Sequence, residues 1–224
     1  MTAGQKPEAM QVIERISREH GAKCTIADAS EAEVLKESCL GQTIRYRGEE
    51  YEIPLAGVYQ KENAVVALNA LKVLDELGFS TAAEQKKEGL RTVNWNGRFT
   101  VICKKPLFVV DGAHNPAAAD MMAASIEHYF KGKRIIYIMG VFADKDYRSV
   151  IQKTVHFADR ILTIQTPDNV RRCLPENWRR LSVNIIPMYR QWIRLKMQWR
   201  SFFICRGTGC DHCLWFSFLY RRDD

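Results

Sequence analysis

The sequence lacks several features that assign a protein to a large class at once. No apolar run approaches the roughly 18 residues that a membrane-spanning helix needs, and residues 1–6 contain no apolar stretch suited to a signal peptide. The seven cysteines follow no regular disulfide spacing. No G-x-x-x-x-G-K-[ST] phosphate loop occurs anywhere in the chain. We therefore expect a cytoplasmic protein with no membrane partner. This chain itself supplies no phosphate loop.

An excess of basic residues is also lacking over most of the chain. The net charge of +7 is typical of nucleic-acid-binding proteins, but residues 170–224, with 11 basic against 4 acidic residues, account for all of it. The first 169 residues are neutral. With 46% hydrophobic residues among 224, the chain can bury one large core or two small ones. The composition predicts a globular protein without a nucleic-acid partner.

The apolar pattern predicts an α/β protein with a domain boundary at Gly97. Before it we expect helices over 7–20, 63–77 and 80–90, a strand over 24–27, and a hairpin of 44–47 with 51–54. After it we expect strands over 99–103, 107–110, 134–139 and 160–165, with helices over 116–130 and 147–157. This alternation favours a parallel, Rossmann-like sheet. In the helix over 63–77 the predicted buried residues are Val66, Ala70, Val73, Leu74 and Leu77.

Residues 111–116, Asp-Gly-Ala-His-Asn-Pro, join a buried apolar strand to the helix over 116–130. Asn115 is a residue type that caps helices, and Pro116 suits a first helical position. In open α/β sheets the carboxyl ends of strands face a crevice, and the N–H groups at the next helix's start attract anions. The sequence therefore predicts a ligand site at this junction.

Three segments carry a resemblance to a known family. Residues 109–116, VVDGAHNP, resemble the C-terminal domain signature of the folylpolyglutamate synthase and dihydrofolate synthase branch of the Mur ligases. Residues 55–64, LAGVYQKENA, are similar to that branch's LxGxxQxxNA segment, and residues 94–99, NWNGRF, to its W-x-GR-x motif. Murein-building Mur ligases usually carry other sequences at the Asp-Gly-Ala-His position. The resemblance covers residues 1–169 and favours the folate branch.

The resemblance implies both a fold and a reaction. Residues 1–96 would be the C-terminal part of the Mur ligase central ATPase domain, and 97–169 an incomplete, Rossmann-like C-terminal domain. The family uses ATP to phosphorylate a folate carboxylate, and the amine of L-glutamate then attacks the acyl phosphate. Because the family's phosphate loop and Mg²⁺ ligands lie upstream of the segment that residue 1 matches, we expect little or no ligase activity from this chain alone.

The resemblance also implies five site residues. For nucleotide binding these are Asn63, Arg98, whose guanidinium would contact ATP phosphate, and Asp111, which would accept from the ribose. Each has a structural alternative: a helix N-cap for Asn63, an exposed turn arginine for Arg98, and an Asx turn for Asp111. For catalysis they are His114, near the transferred phosphate or the glutamate, and Lys145.

Both catalytic candidates have structural alternatives as well. A lone loop histidine such as His114 is usually structural or solvated. Lys145 lies in Asp144-Lys145-Asp146, which resembles the family's DKD element. That element is equally well explained as a charged helix start with Asp146 near the N-cap.

Residues 170–224 differ from the rest of the chain. They hold four of the five tryptophans and four of the seven cysteines, with no sustained helical or strand period. Codons can be chosen for 210–222 that, read one nucleotide later, encode a segment similar to the family's final strand, while 192–199 needs a different shift. We therefore interpret the tail as an out-of-frame product.

Two alternatives to a ligase remain open from the sequence. The first is a binding module with zinc on Cys205, Cys210, His212 and Cys213 and with nucleic acid held by the tail's arginines and tryptophans. Its spacing supplies one C-x-x-C, and Cys173 is too distant to complete a second pair. The second alternative is a noncatalytic interaction protein derived from a ligase.

Overall fold

The computed structural model describes residues 1–105, 107–140, 146–163, 192–194 and 215–220. The chain divides into two compact units, Met1–Asn94 and Trp95–Asp224, so the division falls just before Gly97. No helix within the described ranges is long and apolar enough to cross a membrane.

The first unit combines three helices with two small sheets. Its elements are β1 (Thr2–Ala3), α1 (Pro7–Glu19), β2 (Ile26–Ala27), β3 (Ala32–Ser38), β4 (Gly41–Tyr46), β5 (Glu49–Ile53), α2 (Gln60–Glu76) and α3 (Ala83–Arg91). β1 and β2 pair in parallel, and β3, β4 and β5 form an antiparallel sheet in that order. Arg47 and Gly48, both at positive φ (51° and 83°), make the tight turn of the predicted hairpin.

The sequence did not predict β3. Along Ala32–Ser38 only Ala32 is buried, because the strand lies at an edge of the antiparallel sheet and most of its side chains face solvent. Its letters, AEVLKES, therefore carry no apolar alternation to indicate a strand.

The buried face of α2 differs from the predicted one. Ala64, Val65 and Leu68 are buried, whereas Leu74 and Leu77 are 41% and 68% exposed. All the buried residues of α2 lie within its first ten positions, where the helix joins the core cluster of the antiparallel sheet. Apolar spacing alone could not show that only half of the helix is covered.

The second unit is an α/β domain built on one sheet. Its elements are β6 (Thr100–Lys104), β7 (Leu107–Asp111), α4 (Pro116–Phe130), β8 (Ile135–Gly140), α5 (Tyr147–Thr154), β9 (Arg160–Thr163), β10 (Trp192–Arg194) and β11 (Trp215–Tyr220). The strand order is β10-β9-β8-β11-β7-β6. The predicted alternation of strands and helices is confirmed, and α4 has the predicted bounds.

The sheet is mixed, so the expectation of a parallel sheet was wrong in part. β8, β9 and β10 pair in parallel, but β11 runs antiparallel to both β7 and β8. β6 is antiparallel to β7, because the short link over 105–106 can only reverse the chain. β10 and β11 both lie in the segment 170–224, where the sequence pattern predicted no element.

We expect Ile44→Ala to lower the free energy of unfolding by about 2–5 kcal/mol, since Ile44 is fully buried and its truncation leaves a cavity. The matched control is Ile26→Ala, because Ile26 is 48% exposed and its truncation should cost about 1 kcal/mol or less. Urea unfolding followed by circular dichroism measures both. Equal losses would contradict the position of the core.

Candidate functional site

The predicted junction lies at the start of α4. Asn115 is the N-cap residue (φ −140°, ψ 165°), and its side chain accepts a hydrogen bond from the Ala118 N–H at 2.8 Å. Pro116 is the first helical residue, so the predicted start of α4 is confirmed. β7 ends at Asp111, only a few residues before this cap. The first amides of α4 therefore face the loop that follows a buried strand.

Asp111 is buried at the end of β7, with its side chain bound on both sides. The residue is 4% exposed. Oδ2 accepts from the Phe99 N–H at 2.9 Å, and Oδ1 accepts from the Ala113 N–H at 2.8 Å. The second bond closes an Asx turn, as one of the two interpretations of Asp111 predicted.

Burial raises the pKa of the Asp111 carboxyl above its ordinary value. The two backbone N–H groups, and the charges of Arg98 and His114, lower this pKa but do not outweigh the loss of solvent. Arg98 and His114 therefore lie within electrostatic reach of one buried carboxyl.

The turn that carries Arg98 is fastened to the same loop. Gly97 (φ 80°) and Phe99 (φ 48°) both have positive φ, which is strained for the non-glycine residue. Phe99 is fully buried, and its ring stacks on Phe130 with centroids 6.0 Å apart. The Gly112 N–H donates to the Gly97 carbonyl at 2.8 Å, which ties the turn to the junction.

Arg98 and His114 lie on the two loops so joined. Arg98 is partly exposed, and its backbone N–H donates to Thr100 Oγ1 at 3.3 Å. His114 Nδ1 lies 2.9 Å from the Gly112 carbonyl oxygen. Because a carbonyl only accepts, Nδ1 carries a proton, which leaves Nε2 as the ring nitrogen for a further partner. A guanidinium and an imidazole beside helix amides can bind an anion.

Asn63 belongs to the first unit, and the alternative interpretation of this residue as a helix N-cap was wrong. α2 begins at Gln60, after Tyr59, so Asn63 lies one turn inside the helix. Its side chain is exposed, and Nδ2 donates to Gln60 Oε1 at 2.9 Å. The loop before the helix needs Gly57, at φ 115°, because a Cβ there would lie 2.8 Å from the Tyr59 ring.

Sequence comparisons place these loops in a family. Residues 97–198 match the family described as "Mur ligase, glutamate ligase domain". Folylpolyglutamate synthase of Lacticaseibacillus casei is 30% identical over 126 residues, 56% of this chain and 29% of that protein. Dihydrofolate synthase/folylpolyglutamate synthase of Bacillus subtilis is 28% identical over 173 residues, 70% and 40% of the two chains. Residues 97–198 are thus similar to the glutamate ligase domain of the Mur ligases, and the predicted resemblance of the chain to their folate branch is confirmed.

Solved structures confirm the Mur ligase fold. Mycobacterium tuberculosis folylpolyglutamate synthase, complexed with ADP and AMPPCP, aligns with a TM-score of 0.72 at 24% identity, over 86% of this chain and 45% of that one. A complex of folylpolyglutamate synthase with AMPPCP and folate aligns with a TM-score of 0.61 at 23% identity, over 86% and 48%. This chain thus spans less than half the length of these relatives. The family match also extends past residue 169, where the sequence predicted the domain to end.

Several predicted site residues fall outside the described part of the chain. Lys145 and Asp144 are among them, as are Cys205, Cys210, His212 and Cys213 of the zinc alternative. Asp146 is described and is the N-cap of α5. Its two oxygens accept from the N–H and the hydroxyl of Ser149, which holds the pKa of Asp146 below its ordinary value. Within the described ranges no group of three or more His, Cys, Asp or Glu residues could hold a metal.

Sequence reasoning missed two residues that shape the turn of Arg98. Phe99 has the left-handed backbone conformation in the Arg98 turn, and its buried side chain anchors that turn. Thr100 Oγ1 accepts from the N–H groups of both Gly97 and Arg98. A threonine shortly after a glycine is a weak signal for such a turn, and nothing in the residue type of Phe99 indicates its φ.

We expect the Asp111 carboxyl to titrate above 3.8, its ordinary value, in carboxyl ¹³C NMR. Because its pKa is raised by folding, the folded protein holds a proton that the unfolded chain has lost in the range just above 3.8. The free energy of unfolding therefore falls as pH rises through that range. Asp111→Asn should remove this contribution in urea unfolding repeated across pH. A carboxyl titrating at or below 3.8 would contradict the assignment.

Proposed function

We propose that this chain is part of an ATP-dependent ligase that joins L-glutamate to a folate through an acyl phosphate. The parent enzyme would be a tetrahydrofolylpolyglutamate synthase, with or without dihydrofolate synthase activity. One observation carries the proposal: the start of α4 is tied, through Asp111 and Gly112, to the turn that bears Arg98. A cation and an imidazole thus lie on joined loops at the start of a helix, and these groups and helix amides all bind phosphate. Relatives named for this activity support it.

In the proposed site Arg98 binds ATP phosphate, and the nucleotide-binding role of Asn63, in the first unit, stays a prediction. Asp111 belongs to the same nucleotide site. The guanidinium of Arg98 keeps its charge at any physiological pH and can hold two oxygens at once. His114 presents Nε2 to the transferred phosphate or to glutamate, and Lys145 is the second catalytic candidate. The structure that holds AMPPCP and folate together supports ATP and a folate as ligands.

The proposed reaction has two steps. The terminal phosphate of ATP passes to the folate carboxylate, which gives ADP and an acyl phosphate. The glutamate amine then attacks the acyl carbon, and the tetrahedral intermediate expels phosphate as the amide forms. Stabilisation of phosphoryl charge and alignment of the reacting groups supply the catalysis. Arg98, His114 and the amides of α4 suit that work.

Magnesium has no site among the described residues, where no suitable cluster occurs. We place the Mg²⁺ ligands, with the phosphate loop, in the part of the parent enzyme that precedes the segment matched by residue 1. In this proposal residues 1–96 are the end of the central domain and 97–169 part of the C-terminal domain. That residues 170–224 are out of frame stays a proposal, and the family match up to residue 198 counts against it. The parent enzyme works in the cytoplasm.

The nucleotide sequence around the gene tests this organisation. We expect an upstream open frame that encodes a phosphate loop, and a downstream frame shifted near the codon for residue 169. An uninterrupted frame on both sides, without a phosphate loop, would contradict it. It would favour a noncatalytic interaction protein derived from a ligase.

We expect the intact chain to bind AMPPCP and to incorporate little or no labelled glutamate into tetrahydrofolate in the presence of Mg·ATP. Arg98→Ala should weaken AMPPCP binding by about 1.5–3 kcal/mol, roughly 10- to 150-fold, because a charged hydrogen bond to phosphate is lost. Arg160→Ala is the matched control, since Arg160 is exposed at the start of β9. Calorimetry measures both affinities. An unchanged affinity in Arg98→Ala, or an equal loss in the control, would contradict the site.

A further inference from the structure

We propose that the first unit binds a free α-amino acid with an apolar side chain on the outer face of its antiparallel sheet. The site is formed by a lysine, a threonine and a glutamate that lie side by side on β3, β4 and β5: Lys36, Thr43 and Glu52. We call these three residues the Thr43 row. The proposal concerns the first unit alone and does not depend on the proposed ligase function.

The register of the sheet places the Thr43 row on the face turned away from the core. Along β4, Gln42 and Ile44 are buried, so Thr43 between them lies on the other face. Lys36 lies opposite Thr43 on β3, and Glu52 lies opposite it on β5. Because directly opposed residues share a face of the sheet, an ammonium group and a carboxylate flank one hydroxyl group.

An irregularity in β3 brings the lysine into this row. Val34 pairs with Ile44 on β4. The next pair is Lys36 with Thr43, which makes Leu35 the extra residue of a β-bulge. In a regular strand Leu35 would lie opposite Thr43. Bulges re-aim side chains and are common next to functional sites, and this one puts a cation where an apolar side chain would otherwise lie.

The charges of the Thr43 row are not neutralised within the sheet. In the neighbouring row the Arg45 guanidinium lies between Glu33 and Glu50 and pairs with both, at 3.0 and 2.8 Å. Thr43 is short and uncharged, so it leaves the middle of its own row open. In the part of the chain that the structure describes, neither end of the Thr43 row forms an ion pair. Both charges are therefore available to a ligand.

The distance across the row matches an amino acid zwitterion. Paired residues on neighbouring antiparallel strands are about 5 Å apart, so the backbones of Lys36 and Glu52 are about 10 Å apart. The ammonium nitrogen and a carboxylate oxygen of an α-amino acid lie about 3 Å apart, and each charged hydrogen bond adds about 2.8 Å. Such a ligand can place its carboxylate on Lys36 and its ammonium group on Glu52.

A cavity of about 420 Å³ provides the space for this ligand. All three residues of the Thr43 row line it, and small-molecule pockets in proteins have this size. Leu40 and Pro54 also line the cavity and favour an apolar side chain on the ligand. Arg91 is a further lining residue, but its Nε and Nη2 both donate to Glu88 at 2.8 Å, so its charge is already compensated.

An NMR titration of the intact chain tests the site, with L-leucine as the probe. We expect the backbone amide signals of Leu40 and Thr43 to shift and to saturate. Leucinol lacks the carboxylate and isocaproate lacks the ammonium group, so each loses one ion pair and should bind roughly two- to fivefold more weakly. Absence of shifts at Leu40 and Thr43 up to the solubility limit of L-leucine would overturn the proposal, and so would equal binding of the three compounds.

Each charged end of the row has its own variant. Lys36→Gln and Glu52→Gln should each weaken L-leucine binding roughly two- to fivefold, as the loss of a partly solvated ion pair predicts. Both residues are exposed, so neither change should unfold the protein. Lys6→Gln is the matched control, because Lys6 is also exposed in the first unit and does not line the cavity. An affinity equal to that of the control in both variants would contradict the assignment.

Charge reversal tests the bridge itself. Lys36→Glu alone places carboxylates at both ends of the row and should weaken L-leucine binding roughly tenfold or more, because an attraction becomes a repulsion. Adding Glu52→Lys restores one charge of each sign, so the zwitterion can bind in the opposite direction with an affinity within about twofold of the wild type. A double variant that binds as weakly as Lys36→Glu would overturn the bridge. Tighter binding of L-glutamate than of L-leucine would overturn the apolar side chain.

Discussion

A buried carboxylate that accepts from two backbone N–H groups constrains the loop over 111–115, which joins β7 to α4 and is called the corner below. Asp111 ends the strand, closes the Asx turn to Ala113, and reaches across to Phe99. These contacts fix the backbone that leads into α4, and Asn115 caps the helix. The corner is therefore rigid before any ligand arrives, as anion binding by pre-aligned amides requires.

The fold places this corner at the end of a buried strand. β7 is buried along most of its length, and α4 buries Ala119, Met122 and Ile126 in the same unit. Packing of these elements fixes where the helix begins, and the Phe99 ring extends the packing to the Arg98 turn. The functional side chains lie on loops, and buried apolar residues hold those loops in place.

Reasoning from the sequence predicted the helix start that residue type determines. It missed the features that tertiary packing determines. Asn115 and Pro116 have strong positional preferences, so the start of α4 was predicted to the residue. Tyr59 is not a typical capping residue, so the helix was predicted to start at residue 63, three residues late, with an N-cap as the structural alternative for Asn63. The same limit applies to Phe99, whose positive φ arises from its surroundings.

Family motifs located the candidate site, and the structure shows Asp111 hydrogen-bonded to the backbone on both sides. The role of Lys145 stays a prediction, because the residue lies outside the described ranges. The most direct test of the account is a crystal structure of the chain with AMPPCP. The account predicts the phosphates against Arg98 and the first amides of α4, with Asp111 still bound to Phe99 and Ala113. Nucleotide bound away from this corner would contradict the account.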